Sequence, residues 1–572
     1  MVAGNHCREE PMFVRPLCLS LPLGCLLAAC TVVEPAADTS ATTEGVRRDD
    51  HDGIDKVKHV IIVMQENHSF DNYFGALAYA PGSPYHGPHH PGRRDDGDGG
   101  RDRDDRDGDR DDRGDRDDRS GCSADDHRCV DGLSCTVDHA GAFHCANANT
   151  DDDGSTVFAF HDANRCAAPD LDHGWVATHR EVNFDAPNAT RRHAPMNGFV
   201  RVNDETEQHD NGVESPTDDD TMGFYNQDDL PFYYDLAGSF AISDRFFCSV
   251  LGPTFPNRSY LLAATSFGHL TTNDDFPPPG GYRPITGTIF DLLEANQVSW
   301  ADYFSDVPQG GSFRDFSLTS ADPHFLPLPV FLAQVAGAPG VGELPSVSFV
   351  DPNFGLFGIA GENDEHPPSD IQRGQAFVSR VVNAVRNGPR WQDSVIFIVY
   401  DEHGGAYDHV QPARAVAPDA IAPGQCADLS NPPASLAPGG GAECHDNILG
   451  GGTSVSSAIG LCPELAADPT GPYPAQCASF NQLGVRVPFL AISPFSKRHY
   501  VSHNVADHTS ILAFVETAFL SGHQHLTERD GHADNLLDLF DFEHAPSLGA
   551  TIGTAARPVV DCTPARGGSG LP

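Results

Sequence analysis

Short apolar runs that stop abruptly at polar residues recur along this chain. The first, Val60 to Met64, is β-branched and five residues long, the make-up of a buried parallel strand, and it gives way at once to Gln65, Glu66 and Asn67. Val347 to Val350 ends in the same way at Asp351, Val395 to Tyr400 (VIFIVY) runs into Asp401-Glu402-His403-Gly404-Gly405, and Val487 to Ile492 reads as a further buried strand. Between these runs the period changes. Ser369 to Asn387 carries Ile371, Phe377, Val378, Val381, Val382 and Val385 on one helical face and stops at Asn387-Gly388. Shorter helices are predicted around Leu230 to Leu236, over Thr288 to Ala295, after a cap at Asp507 with Ile511, Leu512, Val515 and Phe519 facing inward, and over Asp534 to Phe542. Strands alternating with helices predict an α/β fold, a mainly parallel sheet with helices on both faces.

In such sheets ligands bind beyond the carboxyl ends of the strands. Two of these ends offer oxygen pairs, Glu66-Asn67 and Asp401-Glu402, hard ligands that suit a divalent cation better than a packed core. A third element, Gly252-Pro253-Thr254-Phe255-Pro256-Asn257-Arg258, reads as a loop feeding a helix with Pro256 in its first turn, a place where free N–H groups meet an anion and where Thr254 would stand. If the three converge, five oxygen-bearing side chains surround one cation, and Thr254 becomes a candidate nucleophile because coordination lowers the pKa of its hydroxyl. His173 and His366 are candidates to bind phosphoryl oxygens or to protonate a leaving oxygen. Spacing alone also admits the plain alternatives: strand-end acids as caps, Thr254 as a turn residue, and two structural histidines out of 28.

The pattern is interrupted twice. Within residues 81–157 the stretch Arg93 to Arg119 is wholly Arg, Asp and Gly, with nothing to bury, and Gly121 to Cys145 holds four cysteines in a short span. Residues 411–482 turn to Pro, Gly, Ala and Ser with four more. Both read as long insertions, the cysteine-bearing parts stapled by disulfides. Beyond Cys30 there are eleven cysteines, none in the CxxC pairs of a zinc ribbon, and the odd number leaves at least one thiol unpaired.

Charge and the N-terminal segment bear on location and partners. Of 572 residues, 81 are Asp or Glu and 36 Lys or Arg, a formal net charge of -45, which argues against a nucleic-acid partner. From Met12, a candidate start, the sequence MFVRPLCLSLPLGCLLAAC reads as an export signal. Its Leu27-Ala28-Ala29-Cys30 resembles a bacterial lipobox, which implies a membrane anchor at Cys30 and a cell-envelope lipoprotein; an ordinary secretory signal is the alternative, with a periplasmic or secreted protein. The expected organisation is a signal peptide (1–30), a tether (31–55), a catalytic body (56–545) holding both insertions, and a tail (546–572).

Five motifs, QENHSFDNYFG, GPTFPNRSY, NDEHPP, FIVYDEHGGAYDH and VPFLAISPF, stand here in the order seen in the phosphoesterase family of non-haemolytic-type phospholipases C and related acid phosphatases. The chain resembles that family from about Val57 to Phe542, insertions excepted. The resemblance implies an alkaline-phosphatase-like α/β sandwich and one divalent metal ion held by Glu66, Asn67, Thr254, Asp401 and Glu402. It also implies Thr254 as a phosphorylated nucleophile, with His173 and His366 as active-site histidines. The expected activity is hydrolysis of a phosphoester: a phospholipid, releasing diacylglycerol and a phosphorylated head group, or a phosphomonoester, as in an acid phosphatase. A surface protein that binds a metal or partner without turnover is the reading from another class. Two positions depart from the family pattern, His68 where Arg is usual and Asn72 where His is common.

Overall fold

The computed structural model describes residues 53–88, 121–151, 153–166, 170–183, 194–206, 218–272, 281–314, 322–356, 361–421, 448–449, 453–454, 480–521, 524–549, 552–553 and 562. The expected signal peptide, nearly all of the tether, the Arg/Asp/Gly run and most of the 411–482 insertion lie outside the described residues.

Eight strands form the central sheet: β1 (His59–Gln65), β2 (Ala241–Ser243), β3 (Trp300–Phe304), β4 (Phe325–Pro327), β5 (Val347–Val350), β6 (Ser394–Tyr400), β7 (Phe489–Ile492) and β8 (Tyr500–Ser502). Their order is β4-β3-β5-β1-β6-β7-β2-β8. All neighbours are parallel except that β7 runs antiparallel to both β6 and β2. The α/β expectation is met by this mixed, mostly parallel sheet. Every residue of β1 and β6 is buried, as their unbroken apolar runs require of strands covered on two sides. The two pair from His59 with Ser394 to Gln65 with Tyr400, so Glu66 and Asp401 leave the sheet side by side.

The helices that matter for the site are α1 (Phe70–Phe74), α2 (Trp175–Val182), α3 (Pro231–Ala237), α4 (Thr254–Ala263), α5 (Ile289–Ala295), α6 (Ile371–Asn387) and α7 (His508–Phe519). In α6 all six apolar positions singled out in the sequence are buried. Asp370 caps it by accepting from the Gln372 N–H, and Asp507 caps α7 through the Thr509 N–H; such caps are worth about 1 kcal/mol each. The helix expected over Asp534 to Phe542 does not form. Asp534 accepts the Leu536 N–H, Leu536 takes a left-handed backbone, and only a single 3-10 turn, Leu537–Leu539, precedes an extended Phe540 that bridges to Ser496.

Three disulfides occur among the described residues: Cys122–Cys129, Cys135–Cys145 and Cys166–Cys562. Cys248 is a free, buried thiol, in keeping with the odd cysteine number. The segment after Cys129 is keyed into the body through Asp131, which takes a hydrogen bond from Arg245 at 2.7 Å and lies 3.3 Å from His409 Nε2. Arg486, fully buried, holds Asp408 at 2.9 Å and Asp71 at 3.1 Å and donates to the Asp131 and Asp244 carbonyls.

Candidate active site

Where β1 and β6 end, the backbone of Asn67 and Glu402 folds around the Asp401 carboxylate. The Asp401 N–H donates to the Gln65 carbonyl at 3.1 Å, continuing the ladder one step past the strands. Asn67 adopts a left-handed backbone (φ 66°), and its N–H reaches Asp401 Oδ1 at 3.3 Å. That close approach needs Gly404: a Cβ there would lie 2.3 Å from the Asn67 carbonyl oxygen. The Glu402 N–H also donates to Asp401 Oδ1, at 2.7 Å, and the Gly404 N–H to Glu402 Oε2, at 2.6 Å.

Thr254 opens α4, and one turn later Arg258 ties that helix to both strand ends. Its Nη2 lies 2.9 Å from Glu66 Oε1, its Nε 3.1 Å from Asp401 Oδ2, and its Nη1 3.4 Å from Gln309 Oε1. Residues four apart share a helix face, so Thr254 is carried to the same side as Arg258. The expected anion site at this helix start is partly taken within the chain, because the Phe255 N–H donates to Thr272 Oγ1 at 2.9 Å.

Several polar atoms here are buried without a hydrogen-bond partner: Asn67 Oδ1 and Nδ2, Thr254 Oγ1, Glu402 Oε1 and His366 Nε2. Buried polar groups are ordinarily satisfied, and an unmet one calls for a ligand or ion. Burial pushes the Asp401 carboxyl up to about 6 against the pull of Arg258, and the Glu402 carboxyl up to about 7 against that of His173. Arg258 occupies one oxygen each of Glu66 and Asp401. An all-oxygen set of this kind, with unmet acceptors and crowded carboxyls, fits a hard divalent cation.

The two histidines lie at the rim. His173 Nε2 is 3.7 Å from Glu402 Oε1, while its Nδ1 bonds the Leu171 carbonyl at 2.7 Å. Burial works against a charge on this ring, but Glu402 and Asp170 outweigh it and hold its pKa up, at about 10. His366 stands beside it, ring centres 6.1 Å apart, and its backbone N–H donates to Asp364 Oδ1. Asp170 faces both rings, at 3.7 Å from His173 and 3.9 Å from His366.

The geometry thus links Glu66 to Asp401 through Arg258, ties the backbone of Asn67 and of Glu402 to the Asp401 carboxylate, and sets His173 beside Glu402 and His366 beside His173; Thr254 is related to them by its place one turn before Arg258 on α4. Two participants were passed over in the sequence. Arg258 lies inside the GPTFPNRSY motif one helical turn after Thr254, and that spacing is the signal that would have found it. Asp170, three residues before His173, carried none.

The sequence model of the Phosphoesterase family matches residues 57–520, and the chain belongs to that family. Among individual relatives it is similar to non-specific phospholipase C1 of Arabidopsis thaliana, with 28% identity over 375 residues covering 64% of this chain and 59% of the plant protein. It is also similar to phospholipase C B of Mycobacterium tuberculosis, with 27% identity over 517 residues, 86% of this chain and 79% of that one. The match thus spans 59% and 61% of the length of two plant relatives. Among solved structures, murine ectonucleotide pyrophosphatase/phosphodiesterase 5 aligns over 55% of this chain and 94% of its own, at 10% identity and a TM-score of 0.29, too distant to carry an argument.

Proposed function

We propose that this chain is a metal-dependent phosphoesterase of phospholipase C type, hydrolysing glycerophospholipids to diacylglycerol and a phosphorylated head group. The observation that carries the reading is the buried, unpartnered Thr254 hydroxyl at the start of α4, in a helix clamped by Arg258 to the two carboxylate-bearing strand ends. The phospholipase C relatives support the choice of a phosphodiester over a monoester.

Glu66, Asn67, Thr254, Asp401 and Glu402 would hold one divalent cation, which supplies charge neutralisation and Lewis-acid polarisation at the phosphoryl group. The chain's own residues do the rest. Thr254 Oγ attacks phosphorus in line and gives up its proton to the histidine rim; the bond from phosphorus to the diacylglycerol oxygen breaks, and that oxygen leaves with a proton returned from the rim. Water then cleaves the phosphothreonine, releasing the head-group phosphate and regenerating the hydroxyl. His173 and His366 orient the phosphoryl oxygens and carry the proton, with Asp170 setting their rings.

Disulfides among the described residues support export from the cytoplasm. With the resemblance of Leu27-Ala28-Ala29-Cys30 to a lipobox, they favour a cell-envelope protein anchored at Cys30, close to its substrate.

The test is hydrolysis by the purified chain of phosphatidylcholine and of p-nitrophenyl phosphate, each with and without chelator, beside Thr254→Ala. Phosphocholine release that chelator and Thr254→Ala both abolish is the expected result. Preference for the monoester moves the reading to a phosphatase, and turnover untouched by Thr254→Ala overturns the nucleophile.

A further inference from the structure

Glu365 has no part in the chemistry above, yet it is fully buried between Asp364 and His366, in a left-handed backbone conformation (φ 77°). Its Oε2 accepts hydrogen bonds from the Tyr73 and Tyr400 hydroxyls, both at 2.6 Å, and its Oε1 from the Tyr233 hydroxyl at 2.7 Å, with Gln65 Nε2 at 3.5 Å. Helix α6 leaves room for it at Gly374, where a Cβ would lie 2.0 Å from Glu365 Cγ.

What these partners have in common is their place in the chain. Gln65 is the residue before Glu66, and Tyr400 the residue before Asp401. Tyr73 lies on α1, which follows Asn67 closely, and Tyr233 on α3. On either side of Glu365, the Asp364 carbonyl accepts the Glu66 N–H at 2.9 Å and His366 carries a rim imidazole. Side chains alternate along a strand, so anchoring Gln65 and Tyr400 fixes the direction in which Glu66 and Asp401 leave it. One carboxylate therefore gathers both strand ends and the histidine segment. Tyrosines in a core need a hydrogen-bond acceptor, but satisfying three of them does not require that two of the acceptor's partners directly precede site residues.

We propose that Glu365 is the positioning residue of this site: by accepting from three tyrosines and Gln65 it locks the ends of β1 and β6, and with them Glu66 and Asp401, against the segment that bears His366. Groups that orient metal ligands in this way are worth about 10- to 100-fold in metal affinity or activity. The inference rests on the site reading given under the proposed function.

The experiment compares wild type, Glu365→Ala and Glu365→Gln by Mn²⁺ titration calorimetry, by kcat and KM on phosphatidylcholine micelles, and by thermal melting. Below its melting temperature, Glu365→Ala is expected to bind Mn²⁺ about 10- to 100-fold more weakly and to lose kcat in similar measure with KM little changed. Glu365→Gln, which keeps the length and one acceptor oxygen, is expected to recover part of both. A carboxylate that only fills the core lowers the melting temperature and leaves Mn²⁺ affinity and kcat of the folded protein at wild-type values, and that result overturns the proposal. Should Glu365→Ala fail to fold, Tyr73→Phe with Tyr233→Phe removes two of the anchoring bonds and is judged on the same readouts. Wild type that neither binds Mn²⁺ nor turns over lipid defeats the proposed function and this inference with it, an outcome distinct from unchanged variants of an active enzyme.

Discussion

His68 Nδ1 lies 2.7 Å from Asn72 Oδ1 across the first turn after β1. These are the two positions at which the sequence is expected to depart from the family pattern, and they are hydrogen-bonded to each other. Burial pushes the His68 pKa down to about 3, against the pull of Asn72 and of the Glu365 carbonyl, which lies 3.2 Å from the other ring nitrogen, Nε2. Asn72 Nδ2 in turn donates to the Gly223 carbonyl at 2.9 Å. Placing Arg at 68 alone buries a cation beside a carboxamide, and a loss of about 3–5 kcal/mol is expected. Adding Asn72→His should recover part of it. A double-mutant cycle by urea unfolding checks the coupling, with about 1 kcal/mol or more expected for residues in contact.

Arg258 stands in the site as the internal counter-charge of Glu66 and Asp401. Arg258→Ala leaves two buried carboxylates uncompensated, and without added metal it is expected to cost about 3–5 kcal/mol. Because a divalent cation then becomes the remaining counter-charge, Mn²⁺ should raise the melting temperature of the variant by more than that of wild type. Melting curves with and without Mn²⁺ measure the difference.

Thr254→Ala should behave in the opposite way. Its hydroxyl has no hydrogen-bond partner, so the stability change without metal is expected to stay within about 0.5–1 kcal/mol. Turnover is expected to fall by at least about 10³-fold, as when a covalent nucleophile is removed. Unfolding and rate measurements on one preparation separate the two effects.

The pH dependence of folding has a site of its own. Burial opposes a charge on His409, but Asp71 at 2.6 Å and Asp131 overcome it and raise its pKa to about 10. Between an unfolded value of about 6.5 and that folded value, the native state holds the extra proton. The stabilisation is complete below about 6.5 and is lost as pH rises through about 10, by up to about 1.4 kcal/mol per pH unit. In His409→Gln this alkaline fall should flatten, as urea midpoints from pH 6 to 10 would register.

The parts of this molecule that were legible in the sequence are those whose signal is local. Apolar runs marked β1, β5, β6 and β7 because a strand covered on both faces is uniform in composition, and α6 showed itself by its period. Strands β3, β4 and β8 read WADYF, FLP and YVS, without an unbroken aliphatic run, so they carried no comparable signal. Glu66, Asn67, Asp401 and Glu402 were visible as polar stops. Arg258 and Glu365 were not assigned roles, because their meaning lies in partners far along the chain: Arg258 meets Glu66 across 192 residues and Glu365 meets Tyr73 across 292. The failed helix after Asp534 shows the reverse case, in which favourable composition was overridden by one left-handed residue.

The pairing of β1 with β6 also governs how the protein is made. Asn67 meets Asp401 across 334 residues, so β1 leaves the ribosome long before its neighbour exists. In that interval HVIIVMQ is a seven-residue, uncharged, β-prone segment with both edges open, the composition that drives nascent chains to aggregate. Lys56 and Lys58 before it and Glu66 after it flank the segment as charged gatekeepers. The glutamate offered here as a cation ligand thus protects the newborn chain before it has a site to serve.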